Sequence, residues 1–257
     1  MCYDITYKEV SKVKMGAIGI VGGVGPAAGI DLAAKIFKHT EASRDQDHID
    51  LYLTSTPSII PDRTEFLLHE GNDPRPGIYE CIKKLASLGA TAVGVACNTA
   101  HSKDIIGKLP PLPEGVVLVN MIQTTCEEIS RQYPFGARIG LLATTGTVRT
   151  GVYSQYFAEL PSFTLICPCQ ENQQSVHQAI YNSSYGIKAT SRPTDKAKAL
   201  LRKALDELEL QECAAVILGC TELPLAVTPE MTRCRLIDPT ELEAIALIKA
   251  VCPEKLK

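Results

Sequence analysis

Residues 17–25 read Ala-Ile-Gly-Ile-Val-Gly-Gly-Val-Gly, an apolar run that ends in a glycine-rich turn. A short β-rich run bounded by glycines is typical of a buried strand. The spacing of apolar residues then becomes helical over residues 27–39. Strands near 49–54 and 92–96, with a helix near 78–88 between them, continue the alternation. Strands that alternate with helices predict an α/β fold with a parallel sheet.

The same order of features starts again in the second half of the chain. Residues 18–25 (IGIVGGVG) align with residues 139–146 (IGLLATTG) at an offset of 121 residues. Residues 92–97 (AVGVAC) align with residues 215–220 (AVILGC) at an offset of 123 residues. Two matches in the same order at nearly the same offset indicate a duplicated α/β unit.

The duplication predicts two similar half-domains that face each other across a pseudo-twofold axis. We place the boundary near residue 117, after a proline-rich stretch at 110–115. The predicted half-domains are residues 1–117 and 118–237, and the C-terminal helix within 238–257 is expected to pack back onto the first half. Because ligands bind at the carboxyl ends of parallel strands, the active site is expected in the cleft between the halves.

The composition favours small-molecule chemistry. The 257 residues carry a formal net charge of −3 with both signs interspersed, so there is no basic footprint for nucleic acid. No apolar run reaches the roughly 18 residues of a membrane span. Residues before Met15, interpreted as a short extension, lack the apolar stretch of a signal peptide. We expect a cytoplasmic protein without nucleic-acid or membrane partners.

Ten cysteines are too few for a disulfide scaffold of this length. Their spacing does not predict a metal site either, because the one close pair, Cys167 and Cys169, has no second pair and no histidine at ligand spacing. Most cysteines are therefore interpreted as reduced core residues. This interpretation applies to Cys81, Cys126, Cys213, Cys234 and Cys252.

Cys97 and Cys220 differ from the others because each follows an apolar strand at a matching position of the repeat. The polar residues after each one predict a helix start, where free backbone N–H groups and a partial positive charge lower the pKa of a thiol. Racemisation removes a proton from one face of a carbon and returns one to the other face. Such a reaction needs two groups that exchange the roles of acid and base, and two matched thiols could supply them.

The glycine turn at 22–29 (GGVGPAAG) fits a dinucleotide-binding fingerprint only in part. The third glycine of that fingerprint is out of step, and Pro26 lacks a backbone N–H that a phosphate would need. We therefore expect a turn that is shaped for a substrate.

Five short segments, taken in order, resemble the aspartate racemase branch of the Asp/Glu racemase family. They are residues 22–26 (GGVGP), 61–64 (PDRT), 97–101 (CNTAH), 143–147 (ATTGT) and 219–223 (GCTEL). The resemblance runs from about Met15 to the C-terminus. It implies two Rossmann-like half-domains with the active site between them, no pyridoxal phosphate or metal, a homodimer, and Cys97 and Cys220 as the catalytic cysteines.

Two features favour the aspartate side of the family. Glutamate racemases typically have a histidine where this chain has Glu222, and an Asp-Ser-Gly turn where it has Gly22 and Gly23. One feature departs from the pattern, because Val24 stands where family members often have methionine. This departure bears on substrate preference rather than on the chemistry.

The resemblance also implies the residues that bind substrate. Arg63 matches an arginine that the family uses on a substrate carboxylate, which a guanidinium can hold with two parallel hydrogen bonds. Lys188 resembles a lysine near the family's active site. The predicted set is Gly23, Val24, Ser55, Thr56, Arg63, Asn98, Thr99, Thr144, Thr145, Lys188, Thr221 and Glu222. His101 is expected to make local hydrogen bonds.

The predicted function is therefore the interconversion of L- and D-aspartate or glutamate without a cofactor. A hydantoin racemase or a maleate isomerase would keep the same fold and both cysteines. A third alternative, from another class, is a binding protein for acidic amino acids that does not exchange the α-proton. Arg63 and Glu222 favour the amino-acid racemase.

Overall fold

The computed structural model describes residues 16–160 and 162–257, so the extension before Met15 lies outside the described residues. The strands are β1 (Ala17–Gly22), β2 (Leu51–Ser55), β3 (Ala90–Val95), β4 (Val117–Leu118), β5 (Arg138–Ala143), β6 (Thr164–Ile166), β7 (Ala215–Gly219) and β8 (Arg235–Ile237). The helices are α1 (Pro26–His39), α2 (Arg63–His69), α3 (Arg75–Ser87), α4 (Met121–Gln132), α5 (Thr145–Arg149), α6 (Val152–Phe157), α7 (Gln170–Tyr181), α8 (Ile187–Thr190), α9 (Asp195–Leu210) and α10 (Pro239–Val251).

The strands form two parallel four-stranded sheets with equivalent strand orders, β2-β1-β3-β4 and β6-β5-β7-β8. The central strands β1 and β7 are buried along their whole length. Strands of this kind have continuous apolar sequences because helices cover both faces of the sheet. The predicted α/β fold with two similar halves is confirmed.

Some boundaries differ from those expected from the sequence. β2 begins at Leu51 rather than at residue 49, and α3 begins at Arg75 rather than at residue 78. The earlier helix start is compatible with Pro76, because a proline in the first helical turn removes an N–H that has no partner there in any case. β4 pairs with β3 through Ala92 and Val93, so the first sheet continues across residue 117.

Two helices cross between the halves. α4 follows the first sheet along the chain, yet Met121 packs with Ile217 in the core beneath the second sheet. α10 follows the second sheet, yet Leu247 packs with Ile18 and Leu32 on the first sheet. Each half is therefore completed by the helix that follows the last strand of the other half. No helix in the described part of the chain is long and apolar enough to cross a membrane.

Candidate active site

Cys97 and Cys220 line the same cleft between the two halves. Cys97 follows the carboxyl end of β3, and Cys220 follows the carboxyl end of β7. Both are 7% exposed, and both side chains form part of the wall of this cleft. Two thiols on the walls of one small cleft can act on one bound molecule.

The segments after the two cysteines are not the helix starts expected from the sequence. Cys97 precedes a single 3₁₀-helical turn, Asn98–His101. Cys220 precedes a turn and then another short 3₁₀ segment, Leu223–Leu225. A macrodipole needs several aligned peptide groups, so the environment of each thiol depends mainly on its side-chain neighbours.

The Cys220 thiol lies beside a buried ion pair. Its Sγ donates a hydrogen bond to Glu222 Oε2 at 3.0 Å, and the other carboxylate oxygen of Glu222 lies 2.5 Å from Lys188 Nζ. Burial raises the pKa of the thiol well above its ordinary value, and Glu222 raises it further, while the charge of Lys188 acts in the opposite direction. Cys220 is therefore held as a protonated thiol.

Lys188 is held as a cation at the wall of the cleft. Burial alone would lower the pKa of its ammonium group, but the negative charge of Glu222 and the hydrogen bond to it outweigh burial and raise the pKa. The ammonium nitrogen also lies 5.5 Å from the centre of the Tyr181 ring, a distance at which the ring face attracts a cation. Tyr181 is 40% exposed, which places it where the cleft opens to solvent.

Arg63 supplies the cation on the Cys97 side. It begins α2, whose N-cap Asp62 accepts hydrogen bonds from the next turn. The guanidinium donates to the carbonyl oxygens of Val24 at 2.8 Å and Pro61 at 3.2 Å. Burial acts to lower its pKa, but interactions with Cys97 and Asp62 outweigh burial and raise the pKa.

Hydroxyl and amide groups complete the wall. Thr99 Oγ1 from the first half and Thr147 Oγ1 from the second lie 2.9 Å apart, and Thr144 Oγ1 lies 3.0 Å from Thr147 Oγ1. Asn98 Oδ1 accepts a hydrogen bond from the buried Tyr153 hydroxyl at 2.6 Å. These contacts join the two halves at the cleft.

Two buried donors at the cleft have no hydrogen-bond partner within the described ranges, Asn98 Nδ2 and Arg63 Nε. Both residues line the cleft. Because an unpaired buried donor is costly, such groups are suited to receive the oxygens of a ligand. Carboxylates are the acceptors that a guanidinium and an amide N–H would bind well.

The structure brings most of the predicted site residues together. Eight of the twelve predicted substrate-binding residues line the cleft: Val24, Arg63, Asn98, Thr99, Thr144, Lys188, Thr221 and Glu222. The other four, Gly23, Ser55, Thr56 and Thr145, do not line it. Ser55 is exposed, and the Thr56 hydroxyl lies 3.1 Å from Cys81 Sγ, behind the glycine turn.

Sequence reasoning did not select five residues that line the cleft: Asp62, Thr64, Thr147, Tyr181 and Gly219. Four of them adjoin or fall within segments that resemble the family, so their neighbours carried a signal. Tyr181 is the last residue of α7, and no local sequence pattern distinguishes it.

No group of three or more His, Cys, Asp or Glu side chains within 16–160 and 162–257 is arranged to hold a metal ion.

A family model of sequence matches nearly the whole chain, including every residue that lines the cleft. The family model of the Asp/Glu/Hydantoin racemases matches residues 21–247. The chain belongs to this family.

Solved structures of racemases have the same fold. The aspartate racemase of Picrophilus torridus is 30% identical and superposes with a TM-score of 0.77, over 92% of this chain and 94% of that one. An aspartate racemase homologue from Pyrococcus horikoshii, 23% identical, superposes with a TM-score of 0.69 over 92% of this chain and 99% of that one. At 23% identity, the similarity to the Pyrococcus horikoshii protein shows a shared fold alone.

Curated sequences add glutamate racemases to the similar proteins. That of Latilactobacillus sakei is 27% identical over 174 residues, which span 64% of this chain but only 57% of that protein. This racemase family thus contains similar proteins named for both acidic amino acids.

Proposed function

We propose that this chain is a cofactor-independent racemase that interconverts the L and D forms of an acidic amino acid, with Cys97 and Cys220 as the two proton-transfer groups. The observation that carries the proposal is the placement of both thiols in one cleft, each beside its own cation. Aspartate is the first substrate to test, because the Picrophilus torridus aspartate racemase is similar over nearly its whole length.

The two thiols differ in their neighbours, which supports different proton states. Cys220 keeps its proton and donates a hydrogen bond to the Glu222 carboxylate, so we assign it as the acid of the resting enzyme. Cys97 lies beside the Arg63 guanidinium, and we assign it as the base of the proposed reaction. Each turnover of the proposed reaction needs one of the two groups protonated and the other ready to accept a proton.

In the proposed reaction the substrate α-carbon lies between the two sulfur atoms. The Cys97 thiolate takes the α-proton, and the electron pair of the C–H bond remains on the α-carbon and its carboxylate. The Cys220 thiol then gives its proton to the opposite face. The substrate of the other hand reacts in reverse, starting from a Cys220 thiolate and a Cys97 thiol.

The free donors support a substrate with two carboxylates. Asn98 Nδ2 and Arg63 Nε have no other partner in the described part of the chain and could bind one carboxylate each or share one. Lys188 adds a positive charge on the Cys220 side. Fixed positive charge in a largely buried cleft stabilises negative charge that develops at the α-carbon.

The test is to follow α-proton exchange by NMR in D₂O with L- and D-aspartate and with L- and D-glutamate. We expect exchange with formation of the opposite enantiomer for at least one pair. Cys97→Ala and Cys220→Ala should each abolish racemisation. Cys234→Ala is the matched control, because Cys234 is buried but binds the Cys213 carbonyl away from the cleft, and it should retain activity.

Two other results would redirect the assignment. Absence of exchange with all four amino acids, at protein concentrations where binding is measurable, would favour a binding protein. Turnover of maleate or of a hydantoin in place of the amino acids would favour the related enzymes.

A further inference from the structure

A buried carboxyl group lies behind Cys97 and is not used in the proposed proton transfers. Val95, the last residue of β3, stands two residues before this cysteine. The neighbouring strand β4 pairs only with Ala92 and Val93, and beyond it the Val119 N–H donates to the Val93 carbonyl. In a parallel sheet the backbone groups of every second residue point to the same neighbour, so those of Val95 point past the end of β4.

Two side chains take the place of the missing strand. Glu243 Oε1 accepts a hydrogen bond from the Val95 N–H at 3.0 Å. His101 Nε2 lies 3.0 Å from the Val95 carbonyl oxygen and must donate to it, since a carbonyl only accepts. Both side chains are fully buried, so water cannot replace either contact.

The contacts of Glu243 connect distant parts of the chain. Glu243 belongs to α10, which arrives after the last strand of the second sheet. His101 ends the 3₁₀ turn that begins directly after Cys97. Gly94 leaves room for the carboxyl group, because a Cβ atom there would lie 2.8 Å from Glu243 Oε1. The strand end before Cys97 and the turn after it are thus both held at Val95.

We propose that Glu243 is a positioning residue for Cys97: its carboxyl group holds the end of β3 and thereby the thiol on the wall of the cleft. The role of Cys97 itself rests on the function proposed above. Glu243 acts as a neutral acid, because burial raises the pKa of its carboxyl group well above the ordinary value. Its Oε2 has no hydrogen-bond partner within the described residues, so the contact with the Val95 N–H is made by Oε1.

The test compares Glu243→Gln with Glu243→Leu. Glutamine keeps a neutral oxygen acceptor for the Val95 N–H, so kcat should stay within about twofold of the wild-type value. Leucine removes the acceptor and leaves a buried N–H unpaired, so kcat should fall about tenfold with little change in KM. Glu241→Gln, on the same helix but paired with Lys38 and His39, is the control and should leave kcat unchanged.

A second readout does not depend on turnover. Alkylation by iodoacetamide, resolved by peptide mass, gives the ratio of the Cys97 and Cys220 rates within the same molecules. We expect Glu243→Leu to shift this ratio by at least about threefold in either direction, and Glu243→Gln to leave it near the wild-type value. A general loss of stability would change both rates together.

If the leucine variant does not fold, Gly94→Ala tests the same contact by displacing the carboxyl group with a methyl carbon. An unchanged ratio of alkylation rates in the folded variant would overturn the positioning role. Failure of the racemase proposal would instead appear as absent exchange in the wild-type protein, with the ratio still sensitive to Glu243→Leu.

Discussion

Gly25 of the first half lies against Glu222 of the second, so close that a Cβ atom at position 25 would stand 2.4 Å from Glu222 Oε1 and 3.3 Å from Lys188 Nζ. The glycine also has a φ of +148°, a backbone angle that residues with a side chain rarely adopt. The turn after β1 therefore permits the ion pair beside Cys220 to reach the cleft. The requirement for glycine is therefore set both by its own backbone angle and by the opposite half-domain.

Gly25→Ala should disrupt the site more than the fold. The added methyl group must displace Glu222 or Lys188, and small displacements at a reacting centre reduce kcat/KM by roughly 10- to 100-fold. Gly136→Ala is the matched control, because Gly136 has a φ of +87° but nothing within 4 Å of its added Cβ. Both variants should lose roughly 1–3 kcal/mol of unfolding free energy through backbone strain, while only the first loses activity. Equal activity in the two variants would contradict the interpretation of the contact.

The pKa of the Cys220 thiol should shift in opposite directions when each of its two charged neighbours is replaced. Glu222→Gln removes the negative charge that helps to raise the pKa of the thiol, so the thiolate should form at lower pH. Lys188→Met removes the opposing positive charge, so the thiolate should form at higher pH. The pH dependence of Cys220 alkylation measures both shifts, with Cys97 in the same molecules as the internal reference. Shifts of the same sign in the two variants would show that the ion pair does not control this proton.

The sequence was sufficient to predict the features that repeat locally. The two strand-and-turn patterns predicted the two sheets, and the cysteines at matching strand ends proved to share one cleft. It was not sufficient for features that depend on contacts between distant segments. The segment after Cys97 has the polar residues of a helix start but closes after one turn, where His101 bonds back to Val95.

The same limit explains the site residues that were assigned less well. Thr56 follows a strand end as the other candidates do, yet its hydroxyl contacts Cys81 because β2 is the outer strand of its sheet. Tyr181 and Glu243 reach their places through helices whose packing partners lie far away in the chain. Periodicity identifies such helices but not the side chain that each one directs to the site.

Tyr153 should control the orientation of the Asn98 amide. Its hydroxyl donates to Asn98 Oδ1 at 2.6 Å, which directs the amide nitrogen to its unpartnered position in the described structure. Tyr153→Phe removes this bond, so KM should rise about tenfold, with a smaller change in kcat. Tyr156→Phe is the control on the same helix, because its hydroxyl accepts from Asn120 at 2.6 Å, away from the cleft. Equal KM values in the two variants would remove Asn98 from the binding site or Tyr153 from its control.

His101 should make the stability of the fold depend on pH on the acid side. Burial lowers the pKa of its imidazole from 6.5 to about 4, so between these values the unfolded chain binds a proton that the folded chain excludes. Stability must therefore fall as the pH falls from about 6.5 towards 4, by about 3 kcal/mol in all. His101→Gln keeps a donor for the Val95 carbonyl but cannot be protonated, so it should lose this contribution.

Urea unfolding at a series of pH values between 4 and 8 measures the effect. The free energy of unfolding of the wild type, minus that of His101→Gln, should decrease by about 3 kcal/mol from pH 7 to pH 4. The same difference for His69→Gln, at an exposed position, provides the control for replacing a histidine outside the core. If His101→Gln keeps the wild-type slope, the imidazole does not cause that slope. Water or a proton would then reach His101 in the folded wild-type protein. The contact between His101 and the Val95 carbonyl oxygen would then be accessible to solvent.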